Sequence, residues 1–236
     1  MTIRWDTIQV GGSPMRIYLA VPDRPGRHPG VIVAQHAGGV DAPIQDTVHR
    51  LYREGYVVAA PELFHRQPPG MEPLKRTAAL VDSEVIADLN ATVAHLKGLR
   101  MSVDPIGIVG YCMGGRVSYL AATSIPELRA AVVFYGGNVM RAQGPGPSPF
   151  ERSAGIQCPI LGCFGVEDTN PSPADVKKID EELTRLGKWH EFHSYRGAGH
   201  AFHNFTDERY RERAARASWH ELLAFFSQVL KRGAKP

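Results

Sequence analysis

The stretch IGIVGYCMGGRVSYL, Ile106 to Leu120, carries the pattern on which the reading of this chain turns. Ile106 to Tyr111 is an apolar run punctuated by glycine, the composition of a strand buried on both faces. From Met113 the residues are small or apolar and suit a helix to about residue 125. Between them stand Gly110, Cys112 and Gly114, spaced glycine-x-nucleophile-x-glycine, with Gly115 next. A side chain at such a strand-to-helix corner sits on a tight turn, where flanking side chains would collide with neighbouring elements and glycine is needed. The corner also sets Cys112 at the positive end of the helix, which favours thiolate over thiol. A lone cysteine is more often an inert core residue, but the glycines and the strand–helix context argue here for a nucleophile.

Outward from this corner, apolar runs of strand length alternate with segments of helical period, the signature of an α/β sheet with crossover helices. MRIYLAV (15–21) reads as an early antiparallel strand, and GVIVAQH (30–36) as a central strand. YVVAAP (56–61), AAVVFYG (130–136), CPILGCFG (158–165) and WHEFHSY (189–195) read as further strands. Helices are expected over 44–54, ending before Gly55; from Ser83 as N-cap, carrying Val85, Ile86, Leu89, Val93 and Leu96; over about 173–186; and from roughly Asp207 to Leu230. The Pro- and Gly-rich segments 63–73 and 138–155 read as loops. With no repeat and no shift in composition, residues 1–236 are expected to form a single domain.

Composition narrows the function. Hydrophobic residues make up 43% and charged residues 22% of the 236, and the net charge is +3, ordinary values for a globular protein. The only Arg-rich run, Arg209 to Arg216, alternates with Glu and Ala as a solvated helix face does, so no nucleic-acid partner is expected. MTIRWDTIQVGG lacks a basic segment followed by an apolar run, so neither a signal peptide nor membrane attachment is expected. Cys158 and Cys163 fit no zinc or disulfide framework and read as core residues, which makes a reducing, cytoplasmic setting the default.

A nucleophile needs a base, and the base needs an orienting acid. Asp168 follows the strand 158–165, and His200 follows the strand 189–195 in the loop RGAGHAFHNF. Both therefore fall where open α/β sheets assemble their sites, beyond the C-terminal ends of strands. Glu167 is the weaker acid, since a tight loop would turn it away. Phe202 and His203 are candidates for the substrate-binding wall. His200 and His203 find no third ligand at metal spacing, so neither metal nor cofactor is expected. The oxyanion produced by attack needs two donors: the N–H of Met113, after the nucleophile, and that of Ala37 in the glycine-rich loop QHAGGV.

These segments resemble the dienelactone hydrolase family of the α/β-hydrolases. The matching pieces are VIVAQHAGGVD, GYVVAAPELFHRQPPG, IGIVGYCMGGR, the turn Gly165-x-x-Asp168 and GAGHAF, over about residues 30 to 205. The cysteine in the elbow is the most specific of them, because most α/β-hydrolases use serine. The resemblance implies the α/β-hydrolase fold, a mostly parallel central sheet flanked by helices on both faces. It implies a triad of Cys112, Asp168 and His200, an oxyanion hole of Ala37 and Met113, and Arg66 as a ligand of the substrate carboxylate. It also implies a monomer or homodimer acting on a small ester or lactone.

Two positions depart from the family. His36 stands where its best-known members place a glutamate that restrains the resting cysteine, and Asn204 stands where they place a second carboxylate-binding arginine. A histidine at 36 either keeps the thiol ionised or only positions the oxyanion-loop backbone, as in the His-Gly-Gly-Gly loops of lipases. The expected enzyme is a cytoplasmic esterase of broad range, attacking activated aryl or enol esters and lactones through a thioester. Dienelactone hydrolysis, promiscuous phosphotriester hydrolysis, acyl transfer and thiol sensing are the alternatives.

Overall fold

Glycine at 11 and 12, with φ of 56° and 80°, closes a two-residue hairpin that begins the molecule. The computed structural model describes residues 2–23 and 26–232. The hairpin joins β1 (Thr2–Val10) to β2 (Ser13–Val21) with Val10 opposite Ser13. The strand reading of 15–21 left β1 unassigned. Its alternating, half-exposed pattern is that of an edge strand.

The remaining strands are β3 (Arg27–Ala34), β4 (Val57–Pro61), β5 (Ser102–Tyr111), β6 (Leu128–Phe134), β7 (Ile160–Gly165) and β8 (His190–Tyr195). They form one eight-stranded sheet in the order β1-β2-β4-β3-β5-β6-β7-β8. β2 pairs antiparallel with both β1 and β4, and every pair from β4 to β8 is parallel. β5 therefore lies inside the sheet, with β3 on one side and β6 on the other.

The helices are α1 (Ala42–Arg53), α2 (Pro73–Ala78), α3 (Asp82–Lys97), α4 (Met113–Ser124), α5 (Pro173–Arg185) and α6 (Glu212–Phe226), the last running on into a wider turn over Ser227–Lys231. They divide between the two faces of the sheet. Leu89, Val93, Val117, Leu120 and Ile179 of α3, α4 and α5 pack into one core. Ile44, Val48, Leu51, Trp219, Leu222 and Phe226 of α1 and α6 pack into the other. Each face thus buries an amphipathic stripe against a sheet that is apolar on both sides.

Two expectations need correction, and a third gains a detail. Ser83 is not the cap of α3: the helix starts at Asp82, with Val81 before it, because the Asp82 carboxylate is bound to Arg116 of α4 at 2.6 and 3.0 Å. The segment 63–73 is irregular as expected but leads directly into the short helix α2. The last helix begins at Glu212 rather than near Asp207. Asp207 instead accepts the backbone N–H of Arg209 at 2.9 Å, and the N–H of Arg211 turns back to the carbonyl of Phe202.

Candidate active site

The corner between β5 and α4 is as tight as the glycine spacing requires. Cys112 has φ 56° and ψ −118°, a conformation that side-chain-bearing residues rarely adopt. Its N–H donates to the carbonyl of Phe134 at 3.1 Å, and its carbonyl accepts the N–H groups of Gly115 and Arg116. A Cβ on Gly110 would stand 1.9 Å from the carbonyl oxygen of Gly114, and one on Gly114 would stand 2.1 Å from that of Ala34. Glycine at both places lets β5, α4 and the end of β3 converge, and leaves Cys112 partly exposed at the N-terminus of α4.

Beyond β7 and β8 two loops meet. Gly165 has no room for a Cβ beside the carbonyl of Ala198, and the N–H of Glu167 donates to that carbonyl at 2.9 Å. This contact brings the His200 loop over Asp168. His200 Nδ1 lies 2.9 Å from Asp168 Oδ2, while Asp168 Oδ1 accepts the N–H of Asn170 at 2.8 Å. Asp168 is buried and Glu167 exposed, so the geometry separates the two acids. With Nδ1 directed to the carboxylate, Nε2 remains to meet Cys112. Burial works to lower the pKa of His200, but its hydrogen bonds to Asp168 and Cys112, and the negative charge of both, push it up to about 10. Cys112, His200 and Asp168 are thus brought into one chain of contacts.

The remaining residues singled out from the sequence divide. Ala37 lies in the turn closed by the N–H of Gly39 on the carbonyl of His36, and Met113 is the first residue of α4. Neither N–H has a hydrogen-bond partner among the described residues. His36 and His203 line a cavity with Tyr111, Tyr135, Ala201 and Asn204. His203 is held neutral: burial first, and then the charge of Arg50, push its pKa down to about 3.

Phe202 and Arg66 lie apart from this cavity. Phe202 is fully buried among Phe134, Tyr135 and Tyr195, and lines none of the described cavities; its side chain points into the core. The guanidinium of Arg66 is engaged by Asp88 at 2.7 and 2.8 Å and borders a separate cavity with Leu63 and Glu84. Its charge is met by a carboxylate of the chain itself.

Sequence reasoning passed over three residues near Cys112 and His200. The Tyr135 ring packs edge-on to His200 at 5.2 Å between centroids, from a backbone with φ 37°. Arg209 grips Asp207 at 2.6 and 2.7 Å, which holds that carboxyl down at about 2, and the pair lies within electrostatic reach of His200 and Cys112. The sequence signal for the latter was an Asp-x-Arg pair close behind the histidine, read instead as helix face.

A profile described as the Dienelactone hydrolase family matches residues 15–230. A relative from Synechocystis sp. named "Putative carboxymethylenebutenolidase" is 34% identical over 245 residues, covering 98% of this chain and 96% of its own. Among solved structures, a "Putative Dienelactone Hydrolase" from Klebsiella pneumoniae superposes with a TM-score of 0.90 at 31% identity, over 96% of this chain and 98% of its own. The "Dienelactone Hydrolase-like Promiscuous Phospotriesterase P91" from metagenomic libraries superposes with a TM-score of 0.83 over 97% of this chain and 98% of its own; at 18% identity that likeness concerns the fold. No helix among the described residues is long and apolar enough to cross a membrane. With its sheet order, its glycine-flanked strand-to-helix corner and these likenesses in agreement, the chain belongs to the dienelactone hydrolase family of α/β-hydrolases and is a hydrolase of ester bonds.

Proposed function

We propose that this hydrolase cleaves activated aryl or enol esters and lactones by two-step acyl transfer through Cys112. The observation that carries the reading is the chain Cys112–His200–Asp168, in which His200 hydrogen-bonds both partners and keeps its proton to about pH 10. His200 takes up the Cys112 proton as the sulfur attacks the carbonyl. The resulting oxyanion rests on the N–H groups of Ala37 and Met113. His200 gives its proton to the departing alkoxide, then, aligned by Asp168, takes one from the water that hydrolyses the thioester.

The leaving group follows from the nucleophile. A thiolate is expelled more readily than an alkoxide, so an intermediate with a poor leaving group collapses back to substrate. Phenolates and enolates leave well, whereas amides and plain alkyl esters turn over slowly. Because Asp88 already engages Arg66, and Asn204 carries no charge, a carboxylate on the substrate is no requirement, and the range is broad. Residues 1–236 act as one domain, and a thiol nucleophile suits a reducing cytoplasm.

The test is a panel of aryl, alkyl and dienelactone esters with the unsubstituted enzyme and Cys112→Ala, followed by iodoacetamide labelling. Aryl and enol esters are hydrolysed fastest, Cys112→Ala loses the activity, and labelling abolishes it. Rapid labelling with no turnover of any ester would make Cys112 a sensor thiol instead. Ester products formed with added alcohols would make the enzyme an acyltransferase.

A further inference from the structure

We propose that His36 and Asp41 form a second proton-transfer dyad, which activates water against a phosphoryl group on Cys112 and so extends the enzyme to phosphotriesters. The inference rests on Cys112 as the nucleophile.

The dyad is built into the loop after β3. His36 Nε2 lies 2.8 Å from Asp41 Oδ1. The two meet across Gly38, where a Cβ would stand 2.6 Å from Asp41 Oδ2 and 2.8 Å from His36 Cε1. Asp41 directly precedes α1, the place where an aspartate ordinarily caps the helix, yet it makes no capping hydrogen bond; its carboxylate serves His36. A carboxylate on Nε2 fixes the proton there and leaves the Nδ1 lone pair as the basic position. Nδ1 makes no hydrogen bond among the described residues.

Its place in the sheet gives this base a role that His200 does not fill. His36 leaves the end of β3, Cys112 the end of β5, and Asp168 and His200 follow β7 and β8, in the sheet order β3-β5-β6-β7-β8. The two histidines therefore leave strands on opposite sides of β5, which carries Cys112 at its end, and His36 lines a cavity together with Ala201, the residue after His200. In acyl transfer one base suffices, because water enters where the leaving group departed, beside the sulfur. Displacement at phosphorus is in line: the leaving group departs opposite the sulfur, and water must enter from there. His200, hydrogen-bonded to the Cys112 sulfur, stands behind the bond to be broken.

The steps balance. The Cys112 thiolate forms an S–P bond as the P–O bond to the aryloxide breaks, and His200 keeps its proton. Water then attacks phosphorus from the far side, giving one proton to His36 Nδ1. The S–P bond breaks to return the thiolate, and His36 passes its proton to solvent, where the aryloxide takes one up. The products are a phosphodiester and a phenol.

Diethyl 4-nitrophenyl phosphate is the probe, with nitrophenolate release followed by rapid mixing and the intact protein weighed. The unsubstituted enzyme releases many equivalents. His36→Ala releases one equivalent per site, then slows by about 10²- to 10⁴-fold, the range general base catalysis supplies, with one diethylphosphoryl group on Cys112. Free imidazole restores its turnover, and Asp41→Asn slows the same step. The one-equivalent burst shows that the corner is folded and reactive in each variant. The proposal is overturned if the unsubstituted enzyme stalls after one equivalent or ignores the triester while hydrolysing 4-nitrophenyl acetate. Undiminished turnover in His36→Ala, or no rescue by imidazole, overturns it equally. Should Cys112→Ala still hydrolyse 4-nitrophenyl acetate, the nucleophile assignment itself is the part that fails.

Discussion

Replacing Arg116 by methionine removes the tie that holds α4, the helix that follows Cys112, to its surroundings. The Arg116 guanidinium is 2% exposed and donates to Asp82 at 2.6 and 3.0 Å, to the carbonyl of Arg141 at 2.6 Å and to that of Asn138 at 3.2 Å. Asp82 in turn accepts the N–H of Gln143 at 3.0 Å, so the pair joins α3, α4 and the loop 138–143. Methionine keeps most of the volume but leaves a buried carboxylate facing apolar atoms. Breaking a buried pair from one side costs about 3–5 kcal/mol. For a chain of this size each kcal/mol moves the melting temperature by roughly 2–4 °C, so Tm falls by about 6–20 °C. Urea denaturation followed by circular dichroism measures the loss directly, and the Asp82→Leu/Arg116→Met double variant recovers part of it because no charge is then stranded. A loss below about 1 kcal/mol, the worth of a surface pair, would refute this account of how α4 is held.

Other outcomes follow from the same structure. In the unsubstituted enzyme the imidazole signals of His200 titrate near pH 10, and in Cys112→Ala they move down, since one of the two groups raising that pKa is gone; an unmoved titration would exclude the Cys112 contact. Because this pKa lies above the unfolded value of about 6.5, the stability contributed by His200 is complete below that pH and is lost as pH rises toward 10. His203 has the opposite sign. Its folded pKa of about 3 lies below the unfolded value, so stability is lost as pH falls from roughly 6.5 toward 3, and His203→Phe flattens that limb of a urea-midpoint profile. Gly114→Ala, whose Cβ would meet the carbonyls of Ala34 and Gln35 at 2.1 and 2.5 Å, displaces the loop carrying Ala37. Its hydrolysis of 4-nitrophenyl acetate falls at least about 100-fold, the worth of one oxyanion donor; near-normal activity would show that the loop yields freely.

What could be read before the structure was local or repeated along the chain. The central strands are continuous apolar runs, and the elbow glycines lie within five residues of one another. Asp168 and His200 were legible because a strand end can be located even where the fold around it is not. The pairs that fix the detail gave no such signal. Asp88 meets Arg66 from 22 residues away, and Asp82 meets Arg116 from 34, so each carboxylate answers to tertiary packing rather than to its own helix. The burial of Phe202 was hidden for a related reason: proximity to His200 in sequence says nothing of which way a side chain points from a twisted loop. The β1 hairpin is the exception, since Gly11–Gly12 between alternating segments is a recognisable turn.

Cys112, Tyr135 and Ala201 hold positive φ angles of 56°, 37° and 61° without being glycine; the Tyr135 ring packs on His200, and Ala201 follows His200 in the chain. Conformations of this kind cost about 1–3 kcal/mol each and persist because the surrounding structure overdetermines them. Selection for heat resistance in the laboratory would find its easiest gains in relaxing these corners. Clones that survive the highest temperatures should therefore be sought first among those that have lost catalysis, and thermal endurance in this enzyme is a poor proxy for fitness as a catalyst.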